Sequence, residues 1–200
     1  MGQETIIRAP AKMWIADADT AQPDIDTLNA SLSTDWVEFG QSYWADGGIT
    51  VTSTVETLKE RIDSSLYTQK AFNGNADITV GGTVKDFSLE TLRYFFNGNA
   101  VADTAADADS AGFREIDLEV SIAKSEYAVL LRFYTPYNSD GLSDAEYGAQ
   151  LWLPRTVFES GLSAALSSSV TAENVFLLSV MESSTLGIGK MRFKTADSTG

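Results

Sequence analysis

A long, polar β-strand constrains the fold of this chain more than any other feature. From Ile49 to about Ile62, Val51 and Val55 share one face with Ile49, while threonines and Glu56 occupy the other. Alternation with a period of two residues predicts a strand. This strand has too few large apolar residues to lie in a closed core. A strand that is long, polar and charged at its far end is typical of one that pairs outside its own domain, so the pattern favours a building block over a catalyst.

The long strand is predicted to begin after a turn and to pair with a return strand. Asp46-Gly47-Gly48 has turn composition, and the return strand is expected over Ala76–Asp86 after a loop at residues 64–75. The apolar positions change parity along the first strand, which predicts a β-bulge near Val55–Thr57. Gly81-Gly82 suggests a second bulge, or a place where another backbone comes close.

One helix follows the return strand. Ser88 is a suitable N-cap, and Asn97-Gly98 is a typical C-terminal stop. The intervening apolar residues recur at helical spacing and are predicted to form one core-facing side. They are Leu89, Leu92, Phe95 and Phe96.

The rest of the chain is predicted to be rich in strands. Residues 113–122 alternate clearly, with Ile116 and Leu118 on one face and acidic residues on the other, which indicates a half-buried strand. Further strands are expected near 12–17, 35–40, 127–135, 147–159, 174–182 and 190–194. The predicted fold is therefore mainly β, a β-sandwich or barrel with one flanking α-helix. We expect a single domain over residues 1–200, with an N-terminal arm at 1–11 and a C-terminal tail at 195–200.

Composition disfavours several functional classes. The 28 acidic and 14 basic residues give a net charge of −14, which disfavours a conventional nucleic-acid-binding protein. The chain has no cysteine and no histidine, which removes the commonest nucleophile–base pairs and transition-metal ligands. No apolar run approaches the roughly 20 residues of a membrane-spanning helix. We therefore expect a non-enzymatic protein with no cofactor, no metal and no membrane segment.

The aromatic residues leave a second class of function open. Trp14, Trp36, Trp44 and Trp152, together with seven tyrosines, could form the binding platform of a carbohydrate-binding β-sandwich. The simpler interpretation places these aromatics in the core, because Trp36 and Trp152 alternate with polar neighbours.

The order of motifs resembles that of the major tail tube proteins of phages with long non-contractile tails. An aromatic-rich strand at Trp36–Gly40 precedes the Asp46–Val51 segment, then Glu56-Thr57 and the charged segment Arg61–Asp63. A return strand and the helix that begins at Ser88 follow, and the resemblance is clearest over residues 12–97. It implies a small β-sandwich or barrel that assembles into stacked hexameric rings, whose inner strands join an inter-subunit β-barrel around an acidic lumen. DNA would pass through that lumen without specific binding.

Carried onto this sequence, the resemblance assigns roles to individual residues. It makes Ile49–Ile62 and Ala76–Asp86 the inner-barrel strands, and makes the loop at 64–75 and both termini the ring-to-ring contacts. The candidate luminal acids are Glu56, Glu60, Asp63, Asp77, Glu115, Asp117 and Glu119, and the candidate loop contacts are Leu66, Tyr67 and Phe72.

The resemblance also implies partners and a location. The expected partners are further copies of the chain, a tape measure protein, and tail tip and tail terminator proteins. The expected location is the virion tail, after assembly in the host cytoplasm. Another self-assembling β protein, such as a secretion-type tube subunit or a capsid decoration protein, stays open as an alternative.

Overall fold

A computed structural model describes residues 8–24, 31–40, 44–60, 70–108, 111–118, 124–134, 147–162 and 173–193. Within these ranges the chain forms ten strands, one short α-helix and one 3₁₀ helix. The strands are β1 Arg8–Asp17, β2 Val37–Phe39, β3 Trp44–Glu60, β4 Lys70–Val84, β5 Ala102–Thr104, β6 Phe113–Glu115, β7 Glu126–Tyr134, β8 Tyr147–Phe158, β9 Asn174–Val180 and β10 Lys190–Phe193. The helix α1 is Leu89–Leu92, and the 3₁₀ helix is Arg93–Phe96. No helix in these ranges is long and apolar enough to cross a membrane.

Eight strands form one antiparallel sheet in the order β2-β1-β7-β8-β9-β4-β3, with β10 added beside β8. One edge of β8 therefore has two partners: β10 pairs with residues 149–152 and β9 pairs with residues 156–158. Pro154 lies between these two segments, where its lack of a backbone donor is tolerated. β5 and β6 form a separate two-stranded sheet. The mainly β prediction with one flanking helix is confirmed.

The large sheet folds over so that its two halves share a core. Fully buried Met13 and Ile15 of β1 belong to the same apolar cluster as Val80 of β4 and Leu178 of β9, and Cα atoms of β1 and β3 come within 8 Å of one another. A second cluster, on the opposite face of β1, β7 and β8, contains Trp14, Trp36, Leu130 and Trp152. The fold therefore buries aromatic residues on both faces of its central strands.

The helix begins at the predicted cap but is shorter than predicted. Ser88 accepts a hydrogen bond from the Thr91 backbone, and the buried Asp86 carboxylate accepts hydrogen bonds from Ser88 and Thr91 at 2.8 Å and 2.5 Å. After one turn the chain tightens into the 3₁₀ helix, which ends at Asn97 in the left-handed conformation. Both predicted ends are confirmed.

The predicted apolar face of the helix is only partly correct. Of its four members, Phe95 is buried, whereas Leu89, Leu92 and Phe96 are half-buried. The 3₁₀ helix has three residues per turn instead of 3.6, which rotates the buried side so that Tyr94 enters the core with Phe95.

The hairpin of β3 and β4 is longer than its sequence pattern suggested. The predicted turn at Asp46–Gly48 is wrong, because these residues lie within β3 at a register shift opposite β4, with Gly48 at φ 62°. The predicted loop is wrong for residues 70–75, which belong to β4, and Phe72 pairs with Leu58. The remaining loop positions, 64–69, lie outside the described residues. Residues 8–11, predicted as part of an arm, belong to β1.

The predicted bulge is confirmed, although the extra residue is in the partner strand. The register shifts between Val55 and Thr57: β3 advances two positions there while β4 advances three, from Ala76 to Asn73. The bulge therefore lengthens β4 and bends the hairpin beyond this point.

The predicted strand at 113–122 is present over only half of the described part of that range, residues 113–118. Only Phe113–Glu115 is a strand, paired with Ala102–Thr104, and residues 116–118 follow without strand structure. Both edges of the adjacent strand β7 are already occupied, by β1 and β8. An alternating sequence forms a strand only where a free sheet edge is close enough to pair with it. β7 offers no such edge to this segment.

We expect Gly82→Ala to lower the free energy of unfolding by about 1–3 kcal/mol, the usual cost of overpacking. A Cβ at this position would lie 2.7 Å from the Gly48 carbonyl oxygen and 3.0 Å from the Phe176 ring. Urea denaturation followed by circular dichroism measures the effect. The matched control is Gly161→Ala, whose Cβ would meet nothing within 4 Å. Equal stability of the two variants would contradict the close backbone approach.

Candidate assembly surface

The hairpin of β3 and β4 extends past the rest of the sheet. β9 pairs with β4 only from Thr79 to Val84, whereas β3 and β4 stay paired from Thr52–Thr79 to Glu60–Lys70. We call the part beyond β9, Ser53–Glu60 with Lys70–Ile78, the overhang. Because no described strand lies beside it, the overhang is stabilised by the pairing of its own two strands.

Both edges of the overhang are open within the described part of the chain. β3 pairs with β4 alone along its whole length, and β4 has no partner except β3 below Thr79. Open edges present unpaired N–H and C=O groups that readily pair with another chain. The two edges differ in sequence and belong to opposite sides of the same hairpin, so they could meet each other in successive copies.

One face of the hairpin continues the core and then emerges into solvent. Ile49 packs against the main apolar cluster. Val51 and Val55 follow on the same face, opposite Val80 and Ala76. Val80 is fully buried, yet Val55 is 50% exposed. The apolar face thus continues from the core to positions that are exposed to solvent.

The opposite face of the hairpin is polar, and we call it the polar face. Thr54 lies directly opposite Asp77, and its hydroxyl is 3.4 Å from the Asp77 carbonyl oxygen. Glu56 is the next residue along β3 on that side, and all three side chains are exposed. The remaining members of the polar face in this hairpin are Thr50, Thr52 and Thr79.

The polar face continues onto β9 and gains a further acid there. Ser179 lies opposite Thr79, and its hydroxyl donates a hydrogen bond to the exposed carboxylate of Glu159. The Glu159 backbone N–H bonds to the Leu177 carbonyl at 2.8 Å, which fixes this residue beside β9. Glu159 was not among the residues predicted from the sequence. The sequence shows that Glu159 follows the strand β8 directly. Its contacts with Leu177 and Ser179 depend on the pairing of β8 with β9, which the sequence does not show.

The seven candidate luminal acids separate into three groups. Glu56 and Asp77 lie together on the polar face. Glu115 belongs to the separate sheet and exposed Asp117 to the segment after it, so neither is part of the large sheet. Glu60 ends β3, but its side chain lies outside the described part, as do Asp63 and Glu119. The luminal role of all seven stays a prediction.

The ring-contact candidates lie mostly outside the described ranges. Leu66, Tyr67 and the segments 1–7 and 195–200 are not described. Phe72, predicted in a loop, is in β4. Phe72 is in a strand because its backbone pairs with that of Leu58. Such pairing does not require the apolar alternation that usually indicates a strand.

Three of the four tryptophans form structural contacts in the core. Trp14, Trp36 and Trp152 are each at least nine-tenths buried, and the Trp152 indole N–H donates to the Thr20 carbonyl at 3.1 Å. A carbohydrate platform needs aromatic faces that are open to solvent. These three residues therefore do not support the carbohydrate-binding alternative; the side chain of Trp44 is outside the described part.

No protein-family model and no curated protein matches this chain. Among solved structures, it is similar to a chain of the sheath–tube complex of an extracellular contractile injection system in its extended state, with 8% identity, a TM-score of 0.48, and coverage of 92% of this chain and 89% of the other. It is also similar to a chain of the tube-terminating cap of the anti-feeding prophage, with 7% identity, a TM-score of 0.46, and coverage of 96% and 97%. With TM-scores below 0.5, neither similarity assigns a family or a function to this chain.

Proposed function

We propose that this chain is a structural, non-catalytic subunit of a phage-type tail tube, which polymerises as stacked hexameric rings around an acidic lumen. The observation that carries the proposal is the overhang with its two open edges. A hairpin that extends past its own core and leaves both edges unpaired has the geometry of a part completed by other copies.

Edge-to-edge pairing of overhangs would produce a ring. The β3 edge of one copy would meet the β4 edge of the next, and this contact joins two different surfaces. Such heterologous contacts generate a closed ring when the rotation closes, and a helical filament when it does not. Complete pairing around a ring would leave no open edge on the overhangs, and such closure is also how barrels avoid aggregation.

The two faces of the hairpin support a direction for the lumen. The apolar face that begins at Ile49 would turn toward the subunit bodies, where Val51 and Val55 could be covered in the assembly. The polar face would then line the channel, with Glu56, Asp77 and Glu159 contributing negative charge. Like charge would keep passing DNA from adhering to the wall.

The number of subunits and the partners come from the sequence resemblance. It supports six copies in each ring, a tape measure protein inside the growing tube, and tip and terminator proteins at its ends. The same hairpin geometry is also compatible with the tube of a secretion-type assembly. Passage of DNA through the lumen distinguishes a phage tail tube from such a tube.

Negative-stain electron microscopy of the purified chain, with size-exclusion chromatography over a range of concentrations, tests the proposal. We expect hollow tubes or stacked six-fold rings. Proline variants of two adjacent residues, Thr52→Pro and Ser53→Pro, sharpen the test. Neighbouring residues direct their backbone groups to opposite sides of a strand, so one variant breaks a bond to β4 and the other only blocks the outer edge.

The edge-blocking variant is identified as the one whose thermal stability stays close to that of the wild type, and we expect it to form no tubes. A wild-type chain that stays monomeric at high concentration and in the presence of a tail-tip complex would overturn the proposal. Tubes of normal length from both proline variants would show that the β3 edge is not the subunit contact.

A further inference from the structure

β10 has a further open edge and an unusual charge pattern. In this acidic chain, Lys190 and Arg192 alternate with Met191 and Phe193, so one face of the strand is basic and the other apolar. β9 ends at Val180 and pairs only with residues 156–158 of β8. It therefore leaves β10 with β8 as its single partner in the described ranges. Neither basic side chain makes an ion pair with the described residues.

The segment Glu115–Leu118 has the complementary pattern. Glu115 and Asp117 alternate with Ile116 and Leu118, a sequence typical of a strand, yet residues 116–118 have no strand partner. Leu118 is 69% exposed, more than expected of an apolar residue with strand periodicity. Both acidic side chains are also exposed and lack an ion pair among the described residues.

Glu115 and Asp117 are available for an ion pair with another copy of the chain. The cation next to Glu115 in the sequence, Arg114, is occupied by Glu90 and by Asp103, the latter at 3.8 Å. Its hydrogen bond lowers the pKa of Glu90, so this pair is ionised over the physiological range. Arg114 therefore anchors the small sheet to α1 and does not neutralise Glu115.

We propose that Glu115–Leu118 of one copy adds as a strand to the open edge of β10 in a second copy. Glu115 and Asp117 would face Lys190 and Arg192, and Ile116 and Leu118 would cover Met191 and Phe193. Backbone pairing at a sheet edge supplies the attraction, and alternate side chains supply the specificity. Opposite charges on facing strand positions add to the stability of such a pair, and like charges reduce it.

The position of the two segments in the fold favours a second copy over the same chain. The Asp117 carbonyl accepts a hydrogen bond from Asn99, and Asn97 bonds to Ser125, which immediately precedes β7. The donor segment is thus held at the end of the sheet where β7 begins. β10 pairs toward the opposite end, about 17–26 Å away along β8 at roughly 3.3 Å per residue. Joining opposite ends of two copies is a head-to-tail contact, so this inference rests on the self-association proposed above.

Disulfide cross-linking between single-cysteine variants tests this contact, because the native chain has no cysteine. Leu118→Cys and Met191→Cys proteins are mixed and oxidised, and any bond between them is necessarily intermolecular. The control pairs Leu118→Cys with Val175→Cys. Val175 is 55% exposed against 45% for Met191, so random collision would favour the control. We expect at least about a tenfold higher yield of the Leu118–Met191 heterodimer.

Charge-reversal variants test whether the acidic and basic side chains recognise each other across the proposed contact. Adding Lys190→Glu and Arg192→Glu to the acceptor should lower the yield about tenfold, and adding Glu115→Lys and Asp117→Lys to the donor should restore it. A yield equal to the Val175 control overturns the inference, as does an intramolecular disulfide in a chain that carries both cysteines. Microscopy of the wild type reports separately on the tube, so tubes without this cross-link would refute only the β10 contact.

Discussion

We expect Phe39→Ala to lower the free energy of unfolding by about 3–5 kcal/mol, the range for removing a buried aromatic ring. Phe39 is fully buried at the end of β2. Its ring centroid lies 6.0 Å from Tyr94, 6.2 Å from Phe95, 5.8 Å from Phe158 and 5.3 Å from Phe176. These partners come from the 3₁₀ helix, β8 and β9, so one side chain joins three parts of the fold. Urea unfolding followed by tryptophan fluorescence measures the loss.

The control for this prediction is Phe113→Ala. Phe113 has the same side chain but is 53% exposed in the small sheet, so its removal should change stability by no more than about 0.5 kcal/mol. A Phe39 variant within about 1 kcal/mol of the wild type would contradict the aromatic cluster as the joint between the two halves of the sheet.

The core elements of the fold were predictable because their pattern is local. β7 and β8 are marked by dense apolar sequence, and the cap at Ser88 and the stop at Asn97 follow from side-chain chemistry alone. The 3₁₀ helix was not predictable in this way. Its residue Tyr94 packs against Tyr127, with ring centroids 5.3 Å apart, and no local sequence pattern reports a contact between residues so distant in the chain.

The hairpin shows what sequence periodicity misses. Residues 70–75 read Lys-Ala-Phe-Asn-Gly-Asn and have no apolar alternation, so they were predicted as a loop. They form a strand because β3 supplies backbone partners. Periodicity reports which side chains are buried against a core, and an overhang with no core beside it gives no such signal.

The candidate site was predictable only in part for the same reason. The acidity of Glu56 and Asp77 is visible in the sequence, but their shared face depends on a register in which Thr54 lies opposite Asp77. The error is the opposite one at residues 116–118, which were predicted as a strand and do not form one. The alternation of this segment predicts a half-buried strand, but both edges of β7, the next strand along the chain, are occupied. This mismatch motivates the proposed contact with β10.

We expect removal of the distal overhang to abolish assembly and to leave a folded monomer. Val55 and Ala76 are directly paired, so residues 56–75 can be replaced by Asn-Gly, a two-residue turn suited to an antiparallel hairpin. All described members of the main apolar cluster lie outside the deleted segment and are kept. Size-exclusion chromatography with light scattering should show no species of ring size, and microscopy should show neither rings nor tubes.

The matched control keeps the edges and removes only charge. Glu56→Gln with Asp77→Asn leaves backbone pairing intact, so this variant should still form tubes, with a less negative channel. The pair of variants separates two physical roles of the hairpin: its edges would hold the subunits together, and its polar face would determine how the channel treats DNA. Tubes from the truncated chain would contradict edge pairing as the ring contact. Loss of tubes in the neutral control would instead mean that these carboxylates take part in subunit contacts and do not merely line a lumen.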